Sequence, residues 1–305
     1  MSNCIVRMNG LTKKYKEHTA VNHLNMEIKK GQICGFIGEN GAGKTTTIRL
    51  ITGIACPTSG ALELFGKTQR SDLQKMRRRI GCIIESPALY PEMTAQENIE
   101  SMRIAMGLKK KNYAQELLNM VGLSDTGSKK AKNFSLGMRQ RLGLALALLG
   151  DSEFLILDEP TNGLDPVGIM EMRQILLKIN KEFGITMLVS SHLLSELYLI
   201  AERFIILHKG VIAEQITVDE LSEKCSKYVK LEVNDPERAM SILNSAIKPK
   251  KMEIMPDQSI CIRDSVDKTE YISDALLKNS IGIRRLEICE EDLETYFSKV
   301  IGGNI

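Results

Sequence analysis

Short runs of apolar residues alternate along the first part of the chain with segments of helical spacing. Residues 21–28 switch between apolar and polar in the manner of a half-buried strand. Four continuous apolar runs predict buried strands, at residues 32–37, 154–157, 185–189 and 204–207. Strands that alternate with helices predict an α/β fold, in which a parallel sheet binds its ligands at the carboxyl ends of its strands.

Helices are predicted between these strands. Residues 46–52 have helical character, and a longer helix begins at Asp165-Pro166, where an N-cap precedes proline at the first helical position. Its apolar residues recur at helical spacing up to Phe183, and Gly184 ends it. Residues 86–149 carry three helical patterns and no convincing strand, which we interpret as a helical insertion or subdomain. Its patterns lie at residues 95–106, 112–121 and 136–149.

The pattern changes after residue 213. A strand, a helix, a hairpin, a helix, a strand and a helix follow in order, at residues 228–233, 236–247, 252–262, 267–279, 282–288 and 291–301. This order predicts a small α+β accessory domain of ferredoxin-like type. We therefore expect two domains, 1–213 and 214–305, in agreement with a chain of 305 residues.

Composition limits the functions that the chain can have. Hydrophobic residues make up 43% and charged residues 26%, as in a folded globular protein. A net charge of +3 is too small to indicate a nucleic-acid partner, and the basic clusters read as solvated surface. The seven cysteines form no CxxC pair, so a zinc site and structural disulfides are not expected. No signal peptide or membrane span is recognisable, so a role at a membrane would need a second chain.

A phosphate-binding loop follows the predicted strand 32–37. Gly38-x4-Gly43-Lys44-Thr45 lies between a strand and a helix, the context in which backbone N–H groups surround phosphate oxygens. Lys44 is expected to reach the β- and γ-phosphates, and Thr45 to bind Mg²⁺. The remaining nucleotide-binding positions of the loop are Asn40, Gly41 and Thr46. The motif could be a glycine-rich turn that matches by chance, and it leaves kinases, GTPases and motor ATPases as alternatives.

Two carboxylates end the next buried strand. Asp158 is expected to hold Mg²⁺, and Glu159 to orient or deprotonate an attacking water. The alternative is that the two acids merely cap a strand before Pro160, although buried apolar runs seldom end in paired acids without a cation. His192 ends the following strand and could contact the γ-phosphate or the water, whereas a lone histidine is more often structural.

Further motifs in the first 213 residues are specific to one protein family. Residues 133–141 precede a long helix in the manner of a signature sequence, and residues 157–166 read Leu-Asp-Glu-Pro-Thr-Asn-Gly-Leu-Asp-Pro. With Ser191-His192, these motifs resemble the ATP-binding subunits of ABC transporters across nearly all of residues 1–213. The resemblance implies an ABC-type P-loop NTPase core, a mixed sheet with an antiparallel part and a helical insertion. It also implies that Tyr15 stacks on adenine and that His192 is the switch histidine.

The resemblance implies partners as well. In this family two copies form a head-to-tail dimer, so that ATP bound by one copy also contacts Ser135 and Gly137 of the other, and Asp165 reaches across the same interface. ATP and Mg²⁺ are the expected ligands. The helical insertion would pass the motion to a separate membrane permease, which implies a peripheral location at the cytoplasmic face of the membrane.

Two departures from the family pattern are present. The signature usually reads Leu-Ser-Gly-Gly-Gln, and here Phe134, Leu136 and Met138 replace three of its residues. Glu85 stands where the family usually has glutamine, which adds a third carboxylate near Asp158. We therefore include Glu85 among the candidate catalytic and metal-binding residues.

Residues 85–91 also indicate a substrate class. They resemble the transporters that protect cells from bacitracin and lantibiotics, so we expect an ATPase that powers export or expulsion of a peptide antibiotic. The alternatives are an ABC exporter ATPase for another substrate, or a non-transport ABC ATPase that acts on ribosomes or DNA.

Overall fold

The computed structural model describes residues 4–110, 112–249, 251–263 and 265–302. Their strands are β1 (Cys4–Tyr15), β2 (His18–Lys29), β3 (Ile33–Ile37), β4 (Ser59–Leu64), β5 (Ile80–Ile83), β6 (Phe154–Asp158), β7 (Thr186–Ser191), β8 (Arg203–His208), β9 (Val211–Thr217), β10 (Tyr228–Val233), β11 (Met252–Ile254), β12 (Ile260–Ile262) and β13 (Ile283–Cys289). Their α-helices are α1 (Lys44–Thr52), α2 (Arg70–Met76), α3 (Ala95–Ala105), α4 (Tyr113–Met120), α5 (Leu136–Ala147), α6 (Pro166–Phe183), α7 (Leu194–Tyr198), α8 (Val218–Lys224), α9 (Pro236–Ala246), α10 (Thr269–Lys278) and α11 (Leu293–Gly302).

Contacts within the chain divide it into two units, Met1–Val218 and Asp219–Ile305. The division falls after Val218 rather than after residue 213. The reason is that β9 pairs with β8 along its length, from His208↔Val211 to Arg203↔Thr217, and so belongs to the first unit.

A six-stranded sheet forms the centre of the first unit, in the order β5-β6-β7-β3-β8-β9. The pairs from β5 to β8 are parallel, and β9 runs antiparallel to β8 at the edge. Every residue of β3, β6 and β7 is buried, which explains their continuous apolar runs. Cα pairing of Ile37 with Ser191 and of Asp158 with Ser190 brings the carboxyl ends of the three strands together.

A second sheet of the same unit is antiparallel, with the order β2-β1-β4. The sequence predicted β2 but neither β1 nor β4. Register shifts interrupt the pairing of β1 with β2, among them one between Met8 and Leu11, so β1 lacks the strict alternation by which a strand is recognised. The mixed sheet with an antiparallel part is therefore confirmed as the fold of this unit.

Helices α3, α4 and α5 lie between β5 and β6, where three helical patterns were predicted. Helix α3 begins with a capping box, in which Thr94 accepts from the Glu97 N–H and the Glu97 side chain accepts from the Thr94 N–H. Helix α5 crosses β5 closely, because a Cβ at Gly81 would lie 1.8 Å from the Ala147 carbonyl oxygen. Only glycine permits this approach.

The second unit contains a four-stranded antiparallel sheet in the order β11-β12-β10-β13. Its strands and helices follow one another as β10, α9, β11, β12, α10 and β13, which is the predicted ferredoxin-like arrangement. Val229, Leu231 and Val233 point to a core of their own, against Leu243 of α9 and Leu276 of α10. Within the described residues of both units, no helix combines the length and the hydropathy needed to cross a membrane.

Truncation of Leu231 is expected to destabilise the second unit. Its side chain is fully buried in the core between the sheet and both helices. Leu231→Ala should therefore lower the free energy of unfolding by about 3 kcal/mol, measured by urea denaturation followed by circular dichroism. Leu277→Ala is the matched control, because Leu277 is 60% exposed on α10. Equal losses in both variants would contradict this description of the core.

Candidate nucleotide-binding site

The loop between β3 and α1 has the shape of a phosphate cradle. Gly41 and Gly43 have φ values of 83° and 107°, a region that favours glycine. A Cβ at Gly43 would also lie 2.5 Å from the Ala20 carbonyl oxygen. Gly43 is the N-cap of α1, so the first N–H groups of this helix and its positive dipole end face the loop. Such a loop binds anions.

Lys44 is held inside the loop. Its side chain is only 6% exposed, and its Nζ donates to the carbonyl oxygen of Gly38 at 2.5 Å. The same Nζ lies 3.2 Å from Oε1 of Glu159, a carboxylate that offsets the cost of burying an ammonium group. The loop thus fixes a cation beside its anion-binding amides.

Asp158 ends β6 as a buried carboxylate with two hydroxyl partners. Thr45 donates to its Oδ2 at 2.8 Å, and Ser190 donates to its Oδ1 at 2.6 Å. Carboxylate and hydroxyl oxygens are the hard ligands that Mg²⁺ prefers. Thr45 and Asp158 therefore have the oxygen ligands that a magnesium ion at the amino end of α1 would need, and their metal-binding role stays a prediction.

Glu159 connects Lys44 to His192. Its Oε2 lies 2.9 Å from Nδ1 of His192, while its Oε1 contacts Lys44. Its backbone is left-handed, with a φ of 49°, which costs about 1 kcal/mol or more in a residue other than glycine. The Glu159 N–H donates to the hydroxyl of Ser190 at 2.9 Å, which stabilises this conformation.

These groups surround a cavity of about 680 Å³. Such a volume lies in the usual range for small-molecule sites. Ten of the residues that the sequence predicted for the site line this cavity: Tyr15, Asn40, Gly41, Gly43, Lys44, Thr45, Thr46, Glu85, Asp158 and Glu159. Gly38 and His192 are not among the described lining residues, but each contacts one: the Gly38 carbonyl oxygen accepts from Lys44, and His192 is hydrogen-bonded to Glu159.

Glu85 faces this cavity but has a partner of its own. Its Oε1 accepts from the guanidinium of Arg49, on α1, at 2.7 Å. Its backbone is also left-handed, with a φ of 65°. The third carboxylate predicted near Asp158 is thus neutralised by a neighbouring cation, and its metal-binding role stays a prediction.

Ser135, Gly137 and Asp165 lie at exposed helix starts. Ser135 is the N-cap of α5 and accepts from the Met138 N–H at 3.2 Å, and Gly137 follows in the first turn. Asp165 is the N-cap of α6 and accepts from the Gly168 N–H at 2.9 Å. None of these three residues is among the described residues that line the cavity. Leu136 and Gln140 of α5 line it instead.

Sequence reasoning overlooked two residues of the site. Ser190 connects Asp158 with the Glu159 backbone, and pairing of β6 with β7 places it beside Asp158, so a correct strand register would have identified it. Gln140 is 5% exposed, and no hydrogen-bond partner lies near its Oε1. Its spacing of four from Leu136 puts both side chains on one helix face.

The family model of ABC transporters matches residues 21–162 of this chain. The bacitracin transport ATP-binding protein BcrA of Bacillus licheniformis is 40% identical over 299 residues, which cover 98% of each chain. The lantibiotic transport ATP-binding protein SrtF of Streptococcus pyogenes is 41% identical over 209 residues, or 68% of this chain and 89% of that protein.

Solved structures of ATP-binding cassettes share the fold. The cassette MJ0796, solved as a dimer with ADP and phosphate, superposes with a TM-score of 0.63 at 28% identity and covers 70% of this chain and 99% of its own. The protein cbiO1 of Clostridium perfringens superposes with a TM-score of 0.67 at 25% identity and covers 81% of this chain and 97% of its own. The chain belongs to the ABC transporter family, as one of its ATP-binding, ATP-hydrolysing subunits.

Proposed function

We propose that this ATPase powers a separate membrane permease that expels a peptide antibiotic of the bacitracin or lantibiotic type. The support for this substrate class is the similarity to a bacitracin transport protein, which extends over both units of the chain. A resemblance confined to the ATPase core would favour transport in general but no particular substrate. The similarity over the second unit therefore favours the antibiotic as substrate.

ATP binding follows from the cradle. The amides of the loop and the α1 N-terminus would bind the phosphates, and the Lys44 ammonium would contact the β- and γ-phosphates. Tyr15 is exposed at the cavity, at the end of β1, where its ring could stack on adenine. Thr45 and Asp158 would hold Mg²⁺, which neutralises phosphate charge when it is bound.

Hydrolysis is assigned to Glu159. The observation that carries this proposal is the position of its carboxylate, 3.2 Å from Lys44 and 2.9 Å from His192. Lys44 would contact the phosphates, so a water bound beside Glu159 would lie near the γ-phosphate. Glu159 would orient or deprotonate that water, and His192 would hold the carboxylate in place.

We further propose that two copies of the chain form a head-to-tail dimer. Ser135 is exposed at the start of α5 and Gly137 is half-buried; among the described residues outside the α5 backbone, a Cβ at Gly137 would meet Leu164 alone, at 3.7 Å. These positions could thus contact the phosphates of a nucleotide bound to a second copy, as could Asp165, which is exposed at the start of α6. The solved cassette MJ0796 is itself a dimer.

The proposed contact with the permease is an apolar groove of about 930 Å³ in the first unit. It lies between β5 and helices α3 and α5, and apolar side chains dominate its lining, including Ile54, Ile84, Met102, Met106 and Leu146. Ile84 and Ser86 of the groove are the chain neighbours of Glu85, which lines the nucleotide cavity, so the groove adjoins that cavity. Docking of a permease here would place the ATPase at the cytoplasmic face of the membrane.

Glu159→Gln is expected to separate ATP binding from hydrolysis. The amide keeps the size of the side chain but cannot act as a base, so phosphate release should fall by about 100-fold or more. ATP should still bind and should trap the dimer, which size-exclusion chromatography with ATP and Mg²⁺ would detect. Glu182→Gln, an exposed residue of α6, is the matched control. A variant that hydrolyses ATP at the normal rate would refute the assignment.

Lys44→Ala is expected to weaken binding itself. Removal of the buried ammonium leaves the cradle without its fixed cation, so the affinity for a fluorescent ATP analogue should fall at least about ten-fold. Lys178→Ala, on the exposed face of α6, controls for loss of a positive charge. Unchanged affinity of Lys44→Ala would show that the loop does not bind phosphates.

Bacitracin sensitivity tests the substrate class. Deletion of the gene from its native host should lower the inhibitory concentration of bacitracin or of a lantibiotic, and the wild-type gene should restore it. Genes that encode Glu159→Gln or Lys44→Ala should not restore the inhibitory concentration. If neither deletion nor restoration changes the sensitivity to these peptides, the chain serves a different substrate even though it is an ATPase.

A further inference from the structure

Glu196 binds two loops of the site at once. It lies in the first turn of α7, and its Oε2 accepts the hydroxyl of Thr161 at 2.8 Å and the hydroxyl of Ser191 at 3.1 Å. The Ser191 hydroxyl oxygen in turn accepts the Leu193 N–H at 3.0 Å. Hydrogen bonds to an ionised carboxylate are stronger than those between neutral groups. One oxygen atom thus joins the segment after β6 to the segment after β7.

Each of these segments contains a residue with a proposed role in ATP hydrolysis, Glu159 in one and His192 in the other. Thr161 follows Glu159 by two positions, in a turn where the Asn162 N–H donates to the Glu159 carbonyl at 3.1 Å. Ser191 directly precedes His192. The bond between Glu159 and His192 is therefore flanked by a second connection between the same two segments, made through Glu196.

We infer that Glu196 is a positioning residue for ATP hydrolysis, because its carboxylate sets the distance between the loops of Glu159 and His192. This inference rests on the roles proposed above for those two residues. The left-handed backbone of Glu159 needs anchors on both sides. The Ser190 hydroxyl holds its N–H, and Glu196 holds the turn that follows through Thr161.

A purely structural role for Glu196 makes a different prediction. An acidic residue in the first turn also stabilises a helix through the dipole, so Glu196 could matter only to α7. Thr161 lies outside α7, and Thr161→Val removes its hydroxyl at nearly constant volume. If Glu196 serves only α7, Thr161→Val leaves the rate of hydrolysis unchanged.

Steady-state kinetics of the full-length protein distinguish the two roles. Glu196→Ala and Thr161→Val should each lower kcat about ten-fold, since a displacement of about 1 Å is sufficient for such losses. KM for ATP should change less than about two-fold, because the cradle is not touched. Thr161→Ser and Glu196→Gln keep a hydroxyl and an acceptor oxygen, and should stay within about three-fold of wild type. Glu182→Ala is the matched control.

A double-mutant cycle tests the connection itself. The variant with both Thr161→Val and Glu196→Ala should be about as slow as the slower single variant, because both changes break the same bond. The histidine NMR spectrum of the ATP-free protein adds a readout that is independent of catalysis. The chain has four histidines, so the His192 signal can be assigned with His192→Gln. The chemical shift of His192 should change in Thr161→Val and stay at its wild-type value in Glu182→Ala.

The outcomes separate the inference from the proposed function. A Thr161→Val protein with wild-type kcat and an unmoved His192 signal overturns the inference, provided that Glu159→Gln is inactive. Losses that multiply in the double variant also overturn it. If Glu159→Gln hydrolyses ATP at the wild-type rate, the proposed catalytic role of Glu159 fails first.

Discussion

Parallel pairing of β3, β6 and β7 determines where the polar groups of the site lie. The register brings Ile37 beside Ser191, and Asp158 beside Ser190, at one edge of the sheet. A shift of one residue in the pairing of β6 with β7 would move the Asp158 carboxylate away from Ser190 and toward the other face of the sheet. Because all three strands are buried on both faces, their packing holds this register, and the carboxylates need no flexible loop to bring them together.

Charge compensation is the second property of the site. Lys44 and Glu159, both in the cavity wall, are paired with each other, and Glu85, which also lines the cavity, is paired with Arg49. Pairing offsets the cost of burying Lys44, whereas Arg49 and Glu85 are exposed to solvent. A phosphate group brings negative charge to the same place, and it would compete with Glu159 for Lys44. If Glu159 has the role proposed above, phosphate binding would therefore release the catalytic carboxylate from its cation.

Local patterns were sufficient to predict much of the fold from the sequence. Strands β3, β6, β7 and β8 are continuous apolar runs, and α6 is framed by Asp165 and Gly184. Strand β1 was not predicted because bulges interrupt its alternation of apolar and polar residues. Strand β5 was not predicted because it is only four residues long. The roles proposed for Lys44, Asp158 and Glu159 come from motif and context, and the structure brings Lys44 and Glu159 into contact. The contacts of Arg49 with Glu85 and of Glu196 with Thr161 join residues far apart in sequence, so no local pattern could reveal them.

The left-handed conformation of Glu159 has a consequence for substitution of this residue. Glycine adopts that conformation without strain, so a Glu159→Gly change would relax the backbone while it abolished the carboxylate. A substitution that relaxes the backbone at residue 159 would thus remove the proposed general base. On that proposal, stability of the backbone and hydrolysis of ATP make opposite demands on this one position.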